Sequence, residues 1–219
     1  MSSYLLRLYA ETQPAGAGAA PLPPLPRAIY VVSGSAIVRA AGQAAALEAN
    51  SAWCGSVAPT VTAGKNGVHL LHWELVRKDA AAAQTGEDSA SLLTLEQEIT
   101  LDPASAYLLR CDRVGFSAGG EALTHTHQGP GIRCLLTGSI RIDSEGSSHS
   151  YMPGEAWFEA GPQPVYAAAS RESATAFVRV MILPRSCHGK SSIRYVRPED
   201  ADKPKTQIYQ IFADEFITP

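Results

Sequence analysis

The sequence predicts an all-β fold that contains two copies of one domain. Runs rich in Val, Ile, Leu and aromatic residues alternate with clusters of Gly, Pro, Ser and Asn, as strands alternate with turns. No long segment has apolar residues at the 3.6-residue spacing of a helix. The predicted strands cover residues 5–10, 28–38, 68–76, 94–101, 107–116, 132–142, 156–158, 176–183, 193–196 and 207–212.

The two copies are visible as an internal repeat. Three segments of the first half recur in the same order in the second half at an offset of 103 or 104 positions: SSYLLR at 2–7 with SAYLLR at 105–110, VSGS at 32–35 with LTGS at 136–139, and SAWC at 51–54 with EAWF at 155–158. A period this long indicates two domains rather than a solenoid of small repeats. We expect one domain over residues 1–95 and the other over 96–219, with 80–91 as a linker or short helix.

Composition excludes several function classes. The 219 residues carry a net charge of -3 with no basic run, which argues against nucleic-acid binding, because neutralising phosphates requires clustered Lys and Arg. No apolar run reaches the roughly 20 residues that span a bilayer. The start, MSSYLLRLYAE, lacks the basic segment and long apolar stretch of a signal peptide. We therefore expect a cytoplasmic protein that binds neither nucleic acid nor membrane.

The four cysteines are scattered along the chain. Cys54, Cys111, Cys134 and Cys187 form no Cys-x-x-Cys pair, so a structural zinc knuckle is not predicted. Dispersed cysteines in a chain of this length are typical of reduced thiols in a cytoplasm. No histidine-based motif surrounds any of them, so a nucleophilic cysteine is not predicted either.

A pair of histidines marks the candidate site. In an extended backbone, His125 and His127 point to the same side of the strand and can offer two imidazoles to one metal ion. The surrounding sequence, GGEALTHTHQGPGIRCLLTGSIRI, has glycines before the pair and a β-rich run after it. The other histidines lack this context. His69 and His72 stand three apart and should face opposite sides of a strand, and His149 and His188 lie in predicted loops.

This segment resembles the first motif of the cupin superfamily. That motif runs glycine, five residues, His-x-His, a few residues, glutamate, six residues, glycine. Gly119, His125, His127 and Gly138 match it, while the glutamate position falls on Gly131. The resemblance implies two of the four usual metal ligands.

The second cupin motif is matched less well. It runs glycine, five residues, Pro-x-Gly, two residues, histidine, three residues, asparagine. Gly154 fits its start, Ala160 replaces the proline and Pro162 the glycine. Val165 stands where the last histidine ligand would be, and Ala169 replaces the asparagine.

The repeat and the resemblance together predict a bicupin, that is, two tandem antiparallel jelly-roll β-barrels. Where the second half has the histidines, the first has QPAGAGAAPLPPLPR. We therefore expect residues 1–95 to be a structural barrel without a metal motif. The charged C-terminal segment, residues 188–219, is expected to wrap the first barrel or a second subunit, and bicupins by analogy pair into homodimers.

Glu159 is the candidate third ligand. It interrupts the apolar run AWFEA, and a buried carboxylate must be paired, protonated or bound to a cation. Two histidines and one carboxylate suit one divalent metal ion: Fe, Zn, Ni or Mn. The alternatives for Glu159 are a surface carboxylate or a salt bridge to Arg133.

Two further residues are candidates for binding substrate. Arg133 could bind a substrate carboxylate in a bidentate manner if its side chain faces the barrel interior. The alternation of side chains along the strand does not decide which way it faces. Gln128 follows the histidine pair and could offer an amide oxygen. The turn Gly129-Pro130-Gly131 is expected to leave room beside the site.

The sequence thus predicts a metal-dependent enzyme that acts on a small, carboxylate-bearing organic ligand. The resemblance allows a dioxygenase, an isomerase, a lyase or a hydrolase, because the fold does not choose among them. Two alternatives remain at this stage: a cupin that binds or senses a small ligand without turnover, and a purely structural cupin.

Overall fold

A computed structural model describes residues 1–18, 21–80 and 91–219. These residues form sixteen strands and two 3₁₀ turns, and the described part of the chain contains no α-helix. The protein is therefore all-β, as predicted. The predicted linker or helix at 80–91 lies almost wholly outside the described residues.

Contacts divide the chain into two compact units. Unit 1 contains Met1–Ala106 and Glu215–Pro219, and unit 2 contains Tyr107–Asp214. The position chosen from the sequence as the domain boundary, between residues 95 and 96, falls inside a strand of unit 1.

Unit 1 is built on one sheet of six strands. Five of them follow the order β3-β2-β5-β1-β6, and β4 pairs with β2. The strands are β1 (Ser2–Gln13), β2 (Arg27–Ala40), β3 (Gln43–Glu48), β4 (Ser51–Gly55), β5 (Thr60–Arg77) and β6 (Ser91–Leu101).

Unit 2 contains two five-stranded sheets, in the orders β11-β10-β13-β8-β15 and β12-β9-β14-β7-β16. The strands are β7 (Tyr107–Phe116), β8 (Glu121–His127), β9 (Gly131–Thr137), β10 (Ile140–Ser144), β11 (Ser147–Tyr151), β12 (Ala156–Glu159), β13 (Val165–Ala169), β14 (Thr175–Pro184), β15 (Ile193–Tyr195) and β16 (Gln207–Ile217). The 3₁₀ turns are Arg185–Cys187 and Pro198–Asp200.

Each unit has its own apolar core. In unit 2 the central strand β14 is buried on both faces except at its last residue, which explains its continuous run of apolar residues. The core of unit 2 includes Phe116, Leu135, Ile140, Trp157 and Phe177. The core of unit 1 includes Ile29, Val31, Val38, Val61 and Leu70.

The internal repeat is present in the backbone as well as in the sequence. The hairpins β2–β3 and β10–β11 turn at Ala41-Gly42 (φ 49° and 75°) and Glu145-Gly146 (φ 51° and 77°), again 104 positions apart. Two consecutive left-handed residues are the signature of a type I′ hairpin. The pairing register also repeats, because Ile29 lies opposite Trp53 and Arg133 lies opposite Trp157.

The strand predictions were right for the apolar strands and wrong in two respects. The predicted strand 132–142 is broken into β9 and β10 at Gly138, where φ is +74° and a Cβ atom would come within 2.4 Å of Thr175 Oγ1. Five strands were not predicted: β3, β4, β8, β11 and β13. They are short and rich in Ala, Ser or polar residues, so tertiary pairing rather than local preference makes them strands.

The four cysteines, all among the described residues, are thiols rather than disulfides, as expected. Burial raises the pKa of the Cys134 thiol to about 12, which makes it a poor nucleophile. Across the described residues, no helix has the length and hydropathy needed to cross a membrane.

Candidate functional site

The two histidines lie side by side inside unit 2. Strand β8 places both side chains on the same face, where His125 is 6% exposed and His127 is 5% exposed. Their Nε2 atoms are 3.2 Å apart, and the rings meet edge to face at 89°. On the neighbouring strand β13, Val165 lies directly opposite His125.

A backbone contact fixes the orientation of the His125 ring. The Nδ1 atom of His125 lies 2.8 Å from the carbonyl oxygen of Leu123, which can only accept a hydrogen bond. The His125 proton is therefore on Nδ1, and Nε2 presents a lone pair to the cavity. The main-chain N–H of His127 donates to the Gly161 carbonyl at 2.7 Å, which anchors the end of the strand. A ligand histidine held in this way is typical of metal sites.

Glu159 brings a carboxylate to the same place. Its side chain is 9% exposed, and Oε2 lies 3.0 Å from His127 Nε2. Oε1 accepts a hydrogen bond from Trp157 Nε1 at 2.8 Å. Strand register explains the position, because Glu159 on β12 is paired with Gly131 on β9. The carboxylate thus lies across the ladder from the position where the cupin motif has its glutamate.

Gly131 leaves no free space beside the site, contrary to the prediction. A Cβ atom there would come within 2.6 Å of the Val180 carbonyl oxygen and 2.7 Å of Met181 Cγ. A Cβ atom at Gly129 would lie 2.1 Å from the Ile182 carbonyl oxygen. Both glycines are therefore required for close packing of the backbone against β14.

Arg133 faces the interior and is paired with Glu159. Its side chain is 1% exposed, and Nη2 lies 2.7 Å from Glu159 Oε2. Nη1 donates a hydrogen bond to the Gly131 carbonyl at 2.6 Å. Arg133 Nη2 and Glu159 Oε2 are close enough for an ion pair, but the angles between them do not meet those of a hydrogen bond. Neither atom forms a hydrogen bond with any other residue in the described part of the chain.

A second buried ion pair was missed in the sequence. Arg179 Nε and Nη2 donate to the two carboxylate oxygens of Asp112 at 2.6 and 3.0 Å. The guanidinium also lies 5.8 Å from the centre of the Tyr209 ring. Asp112 and Arg179 each interrupt an apolar strand, which is the same signal that identified Glu159.

Burial and the ion pairs set the charges at the site. Burial lowers the pKa of His125, and lowers that of His127 to about 3, so both imidazoles are neutral. Burial also lowers the pKa of Arg133 to about 10, which still leaves it charged at neutral pH. Burial alone would raise the pKa of Glu159, but the Arg133 charge and the contact with His127 hold it well below its usual range. The carboxylate is therefore ionised.

The cavity around these groups is small. Its volume is about 20 Å³, which is enough for about one water molecule or ion. It is lined by the two histidines, Glu159 and both arginines, by apolar core residues, and by Gln207 and Tyr209 of β16. A larger depression of about 520 Å³ beside the β10–β11 hairpin is open to solvent and contains none of the site residues.

The beginning of β16 is fastened to β8. Thr206 Oγ1 accepts a hydrogen bond from the Glu121 N–H at 2.9 Å and donates one to the Glu121 carbonyl at 2.7 Å. Gln207 Nε2 donates to the same carbonyl at 3.1 Å. These contacts hold the residues that close the cavity.

Gln128 lies outside the cavity. Its Nε2 donates to the Ser191 carbonyl at 3.2 Å, and its Oε1 accepts a hydrogen bond from Arg194 Nη2 at 2.8 Å. In this conformation the side chain connects β8 to β15 and does not face the histidines.

The three donor atoms suit one cation by type, and His127 Nε2 lies at a suitable spacing from each of the other two. Two ligand atoms that are each about 2.1 Å from one ion, at octahedral or tetrahedral angles, lie about 3.0–3.4 Å apart. Here the separations are 3.2 Å between the two Nε2 atoms and 3.0 Å between His127 Nε2 and Glu159 Oε2. Arg133 competes with a cation for Oε2, and no group of three or more His, Cys, Asp or Glu among the described residues has the arrangement of a formed metal site.

Comparisons with known proteins support the cupin fold. No family model matches the chain, and no curated protein matches its sequence. Solved structures do match. Salicylate 1,2-dioxygenase from Pseudaminobacter salicylatoxidans matches with a TM-score of 0.59 and 10% identity over 86% of this chain and 74% of that one. AerE from Microcystis aeruginosa matches with a TM-score of 0.58 and 13% identity over 84% of this chain and 88% of that one. A variant of oxalate decarboxylase from B. subtilis matches with a TM-score of 0.62 and 12% identity over 90% of this chain and 73% of that one. These neighbours have the cupin fold, and at such identities the similarity concerns the fold alone.

Proposed function

We propose that this protein is a metal-binding bicupin whose second unit holds one divalent cation, Fe, Zn, Ni or Mn, on His125, His127 and Glu159. The observation that carries the proposal is that His127 Nε2 lies 3.2 Å from His125 Nε2 and 3.0 Å from Glu159 Oε2. The repeated hairpins and strand register support two tandem jelly-roll domains. The matches to cupin-fold structures support the same architecture.

The proposed activity is that of an enzyme acting on a small carboxylate, with dioxygenase-type chemistry as the first class to test. Two of the similar structures, salicylate 1,2-dioxygenase and oxalate decarboxylase, are enzymes named after small carboxylates. A bound cation would supply Lewis acidity or a site for O₂. Arg133 keeps Glu159 ionised, and its guanidinium is the proposed contact for the substrate carboxylate.

Substrate entry requires the cavity to widen, because about 20 Å³ holds no organic molecule. The residues that must move are those that close it from β16, Gln207 and Tyr209. Both follow Thr206, which makes two hydrogen bonds to Glu121, and β16 itself pairs with β7.

A second candidate function is the binding of a small ligand without turnover. A purely structural role is the further alternative. Two observations favour a function without turnover. The cavity holds only about 20 Å³, and the Arg133–Glu159 ion pair balances the buried carboxylate without a metal.

Metal analysis tests the proposal. Protein purified without added metal is examined by elemental analysis, and the chelated protein is titrated with Mn²⁺, Zn²⁺, Ni²⁺ and, without oxygen, Fe²⁺. Loss of any one ligand should weaken binding by roughly 10- to 100-fold or more, because two donors hold a divalent ion poorly. The variants are His125→Ala, His127→Ala and Glu159→Gln, with His149→Ala on the exposed strand β11 as the matched control. A wild type that binds no metal, or a Glu159→Gln variant that binds as well as wild type, would overturn it.

Turnover separates the two candidate functions. The metal-loaded protein is incubated with salicylate, gentisate or oxalate, and O₂ consumption and product formation are followed. Metal-dependent turnover that is lost in His125→Ala supports the enzyme. Saturable binding of a carboxylate that is lost in His125→Ala, without turnover of any of the three, supports the binding protein.

A further inference from the structure

Unit 1 contains a buried polar cluster that no sequence motif predicted. We call it the Arg27 cluster. Each of its members is at most 8% exposed, although each is polar or charged: Arg7, Glu11, Gln13, Arg27, His72 and Glu74. They lie on the adjacent strands β1, β2 and β5. The sequence suggested a structural barrel here, with His72 as a separate packing or surface residue.

The cluster is held together by ion pairs and one short hydrogen bond. Arg27 Nη1 lies 2.9 Å from Glu74 Oε2, and Arg7 Nη1 lies 3.6 Å from Glu74 Oε1. Gln13 Nε2 donates to Glu11 Oε1 at 2.6 Å. The second Glu11 oxygen is 3.6 Å from His72 Nδ1, which is too long for a hydrogen bond.

Several polar atoms of the cluster have no hydrogen-bond partner among the described residues. They are Nε, Nη1 and Nη2 of Arg27, Nδ1 of His72 and Oε1 of Gln13. An unsatisfied buried polar group costs about 1–3 kcal/mol, more when it is charged. Arg27, at 1% exposure, is a fully buried guanidinium that forms an ion pair with Glu74 through Nη1, and its Nε and Nη2 atoms have no partner among the described residues. Buried donors of this kind are normally satisfied by a partner.

The cluster lies at the end of unit 1 that corresponds to the histidine site of unit 2. Arg27 stands 104 positions before Gly131, and the strand register around the two positions is the same, since Arg27 pairs with Gly55 and Gly131 pairs with Glu159. The rest of the unit 1 interior is apolar. Both copies of the domain therefore have polar interiors at the same end, made from different residues.

We infer that the Arg27 cluster is a second ligand site, for a small carboxylate. The planar fork of Arg27 matches the two oxygens of a carboxylate, and its unpaired N–H groups are the donors that such a group needs. His72 Nδ1 and Gln13 Oε1 contact the remainder of the ligand. The site is distinct from the metal centre and does not depend on it.

The charge of the cluster sets a condition on binding. Arg7 and Arg27 balance Glu11 and Glu74, while Glu96, which accepts a hydrogen bond from Arg7 at 2.7 Å, is partly solvated. An incoming carboxylate adds one negative charge and must therefore lie against the N–H groups of Arg27 that Glu74 leaves unpaired. The His72 ring is stacked on Tyr9 with their centres 4.7 Å apart.

Calorimetric titration of the full chain with formate, acetate and oxalate tests the site, with chloride at equal ionic strength as the reference. The main variant is Arg27→Lys, which keeps the positive charge opposite Glu74 but loses the planar guanidinium that binds a carboxylate through two N–H groups. Arg77→Lys, an exposed arginine at the end of β5, is the matched control. His72→Phe keeps an aromatic ring stacked on Tyr9 and removes the imidazole nitrogens. This variant tests the site if Arg27→Lys does not fold.

We expect saturable binding of at least one of the three anions, weakened about tenfold or more in Arg27→Lys and in His72→Phe and unchanged in Arg77→Lys. Binding should be unchanged in His125→Ala, which separates this site from the metal centre. Three results would each overturn the inference: no saturable binding by a folded wild type, equal affinity in a folded Arg27→Lys or His72→Phe variant, or binding abolished by His125→Ala. A crystal grown with the best anion that shows only water on Arg27 would also overturn it.

Discussion

Val165 on β13 lies directly opposite His125 on β8. Directly opposed residues in a sheet have Cβ atoms about 4.5–5.5 Å apart, so a side chain at this position can contact the His125 ring. The cupin motif has its last histidine at the position of Val165, and the chain has an apolar side chain there instead. The remaining polar donor, Glu159, comes from the strand on the other side of the cavity and faces Gly131.

Replacing Arg133 should have opposite effects on stability and on metal binding. Arg133→Gln leaves the Glu159 carboxylate buried without its counter-ion, which should lower the stability of the metal-free protein by about 3–5 kcal/mol. The same change frees Oε2 for a cation, so metal affinity should rise. Urea unfolding of chelated protein and calorimetric metal titration measure the two effects. Arg141→Gln, at an exposed pair with Asp143, is the control and should change neither. Unchanged metal affinity in a folded Arg133→Gln variant would argue against Glu159 as a ligand.

A methyl group at Gly131 should be poorly tolerated. Its Cβ would lie 2.6 Å from the Val180 carbonyl oxygen, and main-chain atoms cannot move away cheaply. Gly131→Ala should therefore destabilise unit 2 by about 1–3 kcal/mol or more. The control is Gly115→Ala on β7, where the nearest atom is 3.8 Å from the added Cβ. Thermal unfolding compares the two variants, and equal melting temperatures would contradict the packing described for β9 and β14.

Thr206 should control the opening of the segment that covers the cavity. Thr206→Val removes both hydrogen bonds to the Glu121 main chain, each of which contributes about 0.5–1.5 kcal/mol. The Glu121 amide proton should then exchange with solvent roughly fivefold faster or more. Hydrogen exchange followed by NMR gives this rate without any bound metal. Thr126→Val is the control, because its hydroxyl makes only a long contact of 3.5 Å with the Arg194 carbonyl. An unchanged Glu121 rate would mean that other contacts hold the segment.

The Arg110–Asp214 pair should make unit 2 sensitive to acid. Partial burial works to raise the pKa of Asp214, but hydrogen bonds from Arg110 and from the Gly189 N–H lower it overall. Because the folded-state pKa is the lower one, the stabilisation is complete above the unfolded value of about 3.9 and is lost as the pH falls through the folded value. Asp214→Asn should therefore cost about 1–3 kcal/mol at pH 6 and progressively less towards pH 3.

Urea unfolding at several pH values measures this difference. Asp143→Asn, at the exposed pair with Arg141, is the control and should show a small effect at every pH. A constant difference between wild type and Asp214→Asn from pH 6 to pH 3 would rule out the linkage.

The sequence was informative where burial leaves a pattern in a single strand. Strand β7 begins and ends at the predicted residues, because an apolar run between turn residues marks it fully. Glu159 stood out for the same reason, as a carboxylate in an apolar run. Asp112 and Arg179 give the same signal, and each is explained by the other across the β7–β14 ladder.

Properties that depend on pairing between strands could not be derived. The opposition of Glu159 and Gly131 is a matter of register, which no local pattern encodes. The tight packing at Gly131 depends on β14, which is fifty residues away in the chain. The Arg27 cluster was missed because its members are far apart in the sequence and come together only when β1, β2 and β5 pair.

The left-handed residues at 41–42 and 145–146, and the glycines at 34 and 138, place the same bends at the same intervals in both halves. Such a correspondence is what duplication of one coding segment leaves behind. After duplication, a residue with positive φ is restricted by its own backbone, whereas an interior side chain is restricted only by its neighbours. The two halves accordingly share their turns and differ in their polar interiors, with a pair of adjacent imidazoles in unit 2 and a single one beside Arg27 in unit 1.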